Sequence, residues 1–191
     1  MNEDAFEAAL TVLEVLHDIR VPAFVGGSLA STVFGTPRST IDADLVAHLR
    51  PMHVTPFIEK LGTDFYTDEN AIRSAIDSQS CFNVIHLESM MKVDVFIAKD
   101  RAFDRNQLTR IVRKNIHPDS DTTIPFSSPE DVILAKLEWY RLGNETSERQ
   151  WLDVIGIIKI MPRDLDYDYL KSWAQELDIP DLLERAIEGA K

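Results

Sequence analysis

Gly26-Gly27-Ser28-Leu29-Ala30-Ser31-Thr32-Val33-Phe34-Gly35-Thr36-Pro37-Arg38-Ser39-Thr40-Ile41-Asp42-Ala43-Asp44-Leu45 decides the reading of this chain. It follows Ala23-Phe24-Val25, a short apolar run that reads as a strand. Two glycines then make a tight turn into a helix over residues 28–34, with Ser28 as its expected cap and Gly35-Thr36-Pro37 as its stop. Adjacent glycines at a strand-to-helix turn let backbone N–H groups approach a phosphate at the helix N-terminus, and Ser28 adds a hydroxyl. Residues 41–49 read as the next strand. On it Asp42 and Asp44 share one face, while Ile41, Ala43 and Leu45 point to the other. Arg38, just upstream, carries a planar fork of donors suited to a triphosphate.

Lys92-Val93-Asp94-Val95-Phe96-Ile97 repeats the pattern, with Val93, Val95 and Ile97 facing the core and Asp94 opposite. If the two strands lie side by side, Asp42, Asp44 and Asp94 converge. Unit charges about 4 Å apart repel by roughly 4 kcal/mol at an effective dielectric near 20, so such a cluster calls for a cation. All-oxygen ligation favours Mg²⁺ or Mn²⁺, and the matching substrate is a metal-bound nucleoside triphosphate.

Around this centre, residues 3–19 carry Phe6, Leu10, Leu13 and Leu16 at helical spacing. Helices are expected over 51–61 and 69–78, and strands over 81–87 and 91–98 joined by Glu88-Ser89-Met90 as a hairpin connection. A short helix near 104–110 and strands near 112–117 and 122–126 follow. Ser128-Pro129-Glu130-Asp131 then offers an N-cap serine, a proline at the first helical position and acids in the first turn. That helix stops at Gly143, and 148–161, 166–177 and 181–190 read as three more. The fold class is α+β, a mixed α/β unit over residues 1–126 followed by a helical unit over 127–191.

Composition narrows the function. With 191 residues, 45% hydrophobic and 27% charged, the chain can bury a real core, which argues against disorder and disulfide-stapled mini-proteins. No window reaches the roughly 20 apolar residues of a membrane span. The acidic start Met1-Asn2-Glu3-Asp4 is unlike a signal peptide, so the expected location is the cytoplasm. Cys81 stands alone, which excludes an internal disulfide and a cysteine-based zinc site, and it is expected to be a small buried apolar group. Twenty basic against 32 acidic residues give a net charge of −12, a field that excludes a broad DNA-coating surface. Residues 99–114 are the exception: Lys99, Arg101, Arg105, Arg110, Arg113 and Lys114 outweigh Asp100 and Asp104. They are the candidate polyanion contact, against the plainer reading of a solvated face.

Glycine pair, short helix, paired acids on a strand and a third acid on a later strand, in that order, resemble the nucleotidyltransferase fold of the DNA polymerase beta superfamily. Gly26-Gly27-Ser28 followed by Pro37-Arg38-Ser39-Thr40-Ile41-Asp42-Ala43-Asp44-Leu45 carries the likeness. Residues 128–137, with Arg149-Gln150-Trp151-Leu152-Asp153-Val154, look more loosely like the bacterial AbiEii-type toxin nucleotidyltransferases. The resemblance implies that Asp42, Asp44 and Asp94 hold Mg²⁺ or Mn²⁺ and that Gly26, Gly27, Ser28, Arg38 and Thr40 bind the nucleoside triphosphate. It also implies that Lys136 and Asp153 complete the active site. Several toxins of that type add nucleotides to tRNA ends, which would bring a cognate antitoxin as partner.

Lys136 also has a case from the residues, since Ile133, Leu137 and Tyr140 flank it at helical spacing and would hold its stem on apolar surface. Asp153 lies among Trp151, Leu152, Val154 and Ile155, where an acid needs a partner, and Lys136 is the candidate. A purely structural ion pair between helices is the competing reading. His17, His48, His53, His86 and His117 lack metal-ligand spacing and read as structural, and Trp139, Trp151 and Trp173 as packing residues. The expected activity is transfer of a nucleoside monophosphate to an acceptor hydroxyl with release of pyrophosphate. A tRNA end, a protein hydroxyl and a small molecule such as an aminoglycoside stay open as acceptors. The alternative is a non-catalytic nucleotide-binding or partner-binding module, which the three intact acids disfavour.

Overall fold

The computed structural model describes residues 3–37, 43–115 and 123–191. Two compact units emerge, one of residues 1–29 and 39–126, the other of residues 30–38 and 127–191. Arg38, Thr40 and Asp42 lie outside the described residues, as does His117.

The first unit begins with α1 (Glu3–Asp18) and β1 (Ala23–Val25) and holds the start of α2 (Gly27–Phe34), whose later residues belong to the second unit. It continues through β2 (Ala43–Ala47), a 3₁₀ turn at Pro51–His53, α3 (Val54–Leu61), β3 (Phe65–Tyr66) and α4 (Glu69–Ser78). It closes with β4 (Cys81–His86), β5 (Lys92–Ile97), α5 (Ala102–Thr109), β6 (Val112–Asn115) and β7 (Thr123–Phe126). Among the described residues one mixed sheet forms, in the order β3-β4-β5-β2-β1-β7-β6. β2 runs parallel to β5 and antiparallel to β1, while β4 pairs antiparallel with β5 across the expected hairpin.

Strict alternation explains both faces of this sheet. Ala43, Leu45, Ala47, Phe82, Val84, Val93, Val95 and Ile97 are buried, and α1 packs on β1, β2 and β5 while α4 packs on β4. Burial of each large side chain among them contributes roughly 1.5–3 kcal/mol. The intervening residues Asp44, Lys92, Asp94, Cys81 and Asn83 fall on the opposite face. Cys81 is therefore exposed, contrary to the expectation of a buried thiol: β4 enters the sheet with Phe82 and Val84 inward, which sends Cys81 and Asn83 outward. The strand expected over 41–49 ends at Ala47, because the chain turns there into Pro51, which has no N–H to give a ladder. The helix expected from residue 51 starts as the 3₁₀ turn and becomes α-helical at Val54. β3, two residues long, is too short to show a period in the sequence.

The second unit packs α6 (Pro129–Leu142) on α7 (Glu148–Ile160), α8 (Tyr167–Glu176) and α9 (Pro180–Gly189). Ser128 caps α6 as expected, its Oγ accepting from the Asp131 N–H at 3.2 Å. Ile133, Leu134, Leu137, Ile157, Leu170 and Leu182 are fully buried. Trp151 packs on Tyr140 at 5.4 Å between ring centroids and lies under the Arg185 guanidinium at 5.2 Å. Trp139, by contrast, is 51% exposed, short of the packing expected for it. Among the described residues no helix is long and apolar enough to cross a membrane.

Candidate active site

The glycine turn and the second paired acid meet in the first unit. Gly27 takes φ +51°, a left-handed conformation that a side chain resists, and α2 begins there, one residue ahead of the expected cap. Ser28 is thus inside the helix, and its N–H donates to Oδ2 of Asp44 at 3.2 Å. A carboxylate from β2 thereby satisfies one of the open donors at the helix start, where the helix dipole favours negative charge. A Cβ on Gly26 would meet only ordinary van der Waals contact, at 3.5 Å from Val46, so of the two glycines Gly27 is the one the geometry requires.

Asp44 and Asp94 are register partners on the parallel strands β2 and β5. Neighbouring strands lie about 4.8 Å apart, so the two acids stand side by side on one face. At that spacing their mutual repulsion is roughly 3–4 kcal/mol at an effective dielectric near 20. Three neighbours temper it. Ser28 holds Asp44, Nδ2 of Asn83 donates to Oδ1 of Asp94, and Lys92 Nζ donates to Oδ2 of Asp94 at 2.8 Å. Asn83 is itself the register partner of Asp94 from β4, so Asn83, Asp94 and Asp44 form a row across three strands.

Among the described residues no group of three His, Cys, Asp or Glu stands ready to hold a metal ion. The donor set is two carboxylates, and it fits a hard cation: Mg²⁺ is commonly bound by one or two carboxylates together with waters and substrate phosphates. One of the two carboxylates, Asp94, already pairs with the Lys92 ammonium. Asp44 and Asp94 are the described residues able to hold such an ion. Cys81, on the same face, has its thiol pushed above its ordinary value by partial burial and then by the Asp94 charge, with Asp44 adding to the rise and Lys92 opposing it.

Lys136 and Asp153 come together in the second unit, Nζ lying 2.9 Å from Oδ2 with side chains only 8% and 7% exposed. Ser31, on α2, donates its hydroxyl to the same Oδ2 at 3.2 Å. Small residues permit this approach. A Cβ on Gly35 would fall 2.9 Å from Ile157, and one on Gly156 would fall 2.9 Å from Thr36, so the α2 end and α7 lie in close contact. An ion pair this buried gives up hydration worth several kcal/mol per ion, which pairing and the extra hydrogen bond offset.

Asn83, Lys92 and Ser31 were not singled out from the sequence. A signal existed for Lys92, two residues before Asp94 on one strand and hence on its face. None existed for Ser31 or Asn83, single polar residues whose partners lie 122 and 11 positions away. The basic stretch at 99–114 divides. Arg101 Nε pairs with Asp104 at 2.6 Å and Arg105 donates to the Asp100 carbonyl at 2.5 Å, both local contacts, while Arg113 and Lys114 are exposed on the edge strand β6. His86 sits 2.8 Å from Ser89 Oγ and tilts against Phe65, and His53 Nδ1 accepts from the Arg50 N–H at 3.1 Å.

The chain matches no protein-family model and no curated protein. It is similar to several solved structures. The antibiotic-resistance factor ANT(2″)-Ia in solution aligns over 97% of both chains at 13% identity, with a TM-score of 0.56. The same factor in complex with adenylyl-2″-tobramycin covers 90% of this chain and 95% of that one, at 12% identity and a TM-score of 0.53. The lincosamide antibiotic adenylyltransferase LnuA, bound to lincomycin, covers 81% and 97% at 16% identity and 0.50. Likeness at these identities shows the fold, and the fold is that of the nucleotidyltransferases. The narrower likeness to AbiEii-type toxins rests on the sequence motifs alone.

Proposed function

We propose that the protein is a nucleotidyltransferase that moves a nucleoside monophosphate from a triphosphate to an acceptor hydroxyl. The observation that carries this reading is the register pairing of Asp44 with Asp94 beside the left-handed turn at Gly27. Asp44 and Asp94, with Asp42, would hold Mg²⁺ or Mn²⁺, which when bound supplies the positive charge that draws the triphosphate in and stabilises its transferring phosphoryl group. At the glycine turn the Gly26 N–H is given to the Asp44 carbonyl and the Ser28 N–H to its carboxylate. Gly27 therefore binds the terminal phosphates through its backbone N–H and Ser28 through its hydroxyl, with Gly26 shaping the turn, and Arg38 and Thr40 add donors along the chain of phosphates. Asp94 takes the proton of the acceptor hydroxyl as its oxygen bonds to the α-phosphorus. The bond from that phosphorus to the bridging oxygen breaks, and pyrophosphate leaves. Lys136, held by Asp153, steadies the negative charge of the triphosphate. Residues 1–126 form the catalytic domain in this reading and 127–191 the helical one.

Two acceptor classes have support. A net charge of −12 suits a cationic small molecule, and the similar structures carry tobramycin and lincomycin derivatives or ligands. An RNA end, in a toxin held by a cognate antitoxin, rests on the 128–137 and 149–154 motifs, with Arg113 and Lys114 as the phosphate contact. The experiment is incubation of wild type and Asp44→Ala with Mg²⁺ and each of four labelled triphosphates, against tobramycin, lincomycin, total bacterial RNA and no acceptor. Label transferred by wild type and not by the variant supports the reading, and the labelled species names the acceptor. No triphosphate binding by calorimetry with either protein would overturn it.

A further inference from the structure

Asp94 is clamped from two sides. The Asn83 amide, fixed by strand register, donates to Oδ1, and the Lys92 ammonium, two residues along the same strand, donates to Oδ2 at 2.8 Å. The two halves differ in kind. Asn83 is neutral on a short side chain, whereas Lys92 is a point charge on a flexible stem whose side chain is 42% exposed over a carboxylate only 14% exposed. Lys92 can therefore withdraw into water while Asn83 stays. We propose that Lys92 is a built-in competitor for the divalent cation at Asp94: it neutralises the carboxylate when no ion is present, and metal entry exchanges one positive charge for another. Asn83 is a positioning residue that keeps Asp94 aimed during the exchange. This inference rests on the reading of Asp44 and Asp94 as the cation-holding pair.

Its consequence is a weakened metal affinity in the absence of nucleotide. An ion pair this exposed contributes little, so its removal should tighten metal binding by about threefold to fivefold rather than by orders of magnitude. The test titrates Mn²⁺ into the full chain without nucleotide and counts free ion by electron paramagnetic resonance. Wild type is compared with Lys92→Met, Lys92→Gln, Lys92→Arg and Asp44→Asn, each checked by thermal melting. The expected result is tighter Mn²⁺ binding in the Met and Gln variants, none in Lys92→Arg, whose planar fork holds the carboxylate at least as well, and loss in Asp44→Asn. Unchanged or weaker binding in both folded Met and Gln variants, with wild type still binding through Asp44, overturns the inference and leaves the cation-holding pair standing. Absence of Mn²⁺ binding in wild type and in the folded Met and Gln variants alike overturns both.

Discussion

A Cβ placed on Gly27 would fall 1.8 Å from Oδ2 of Asp44 and 2.7 Å from its Cβ. Turn and acid are thus fitted to one another, and the φ of +51° closes the same position to a side chain a second time. Gly27→Ala is expected to cost about 1–2 kcal/mol from the left-handed backbone alone. It should also displace the Asp44 carboxylate and lower Mg²⁺-dependent triphosphate binding at least about tenfold, a loss of about 1.4 kcal/mol. Urea unfolding and calorimetry with ATP read the two effects. Wild-type binding in a folded variant would remove the turn from the site.

Lys136 and Asp153 separate structural from functional roles through their pairing. Asp153→Ala leaves a buried ammonium, and the expected loss is about 3–5 kcal/mol of stability. Replacing both partners by apolar residues, Lys136→Met with Asp153→Leu, should bring stability back to within about 1 kcal/mol of wild type, apart from the Ser31 hydroxyl left behind. If the pair serves phosphate binding, that stable double variant has lost triphosphate affinity. If it keeps wild-type affinity and turnover, the pair is a helix-to-helix tie and nothing more.

The element boundaries that were legible share a cause. Ser128-Pro129 and Gly143 bracket α6 because capping and backbone chemistry are local, and the alternation in β2 and β5 shows because each strand buries one face. Asp44 and Asp94 were legible as a pair for the same reason. What stayed hidden depends on register. That Asn83 lies opposite Asp94, and that β2 runs parallel to β5 and antiparallel to β1, follows from pairing between strands distant in sequence. Cys81 was misread because a lone cysteine opening a strand carries no sign of which face it takes, and Ser31 was missed because its partner comes from another helix.

His53 predicts a pH effect on stability. Burial, and then the charges of Arg50 and His48, hold its imidazole below the ordinary value, and its neutral Nδ1 accepts the Arg50 N–H. The unfolded chain therefore takes up the proton first as pH falls below about 6.5. The stabilisation is complete above that pH and is lost as pH falls through the lower folded value. Urea unfolding of wild type is expected to weaken from pH 7.5 to pH 5.5 more than that of His53→Asn. Asp18 and Asp181, held below the ordinary carboxylate range by hydrogen bonds from Lys60 and Arg141, lose their contribution only at more acid pH, and the difference between wild type and His53→Asn reads the histidine.

Cys81 offers a reporter that needs no turnover. Its thiol is exposed yet held above its ordinary value, by partial burial first and by the Asp94 charge next, so iodoacetamide at pH 8 should alkylate it more slowly in the folded than in the unfolded chain. Asp94→Asn removes the nearer negative charge and should raise the rate by roughly twofold or more, since thiolate fraction sets reactivity. Mg²⁺ bound at Asp44 and Asp94 places positive charge on the same face and should accelerate wild type in the same direction, saturably, without accelerating Asp44→Asn. Mass spectrometry of the alkylated chain gives each rate. Acceleration by Asp94→Asn together with indifference of wild type to Mg²⁺ would mean that the carboxylate acts on the thiol while no cation settles beside it, and the metal assignment would fall.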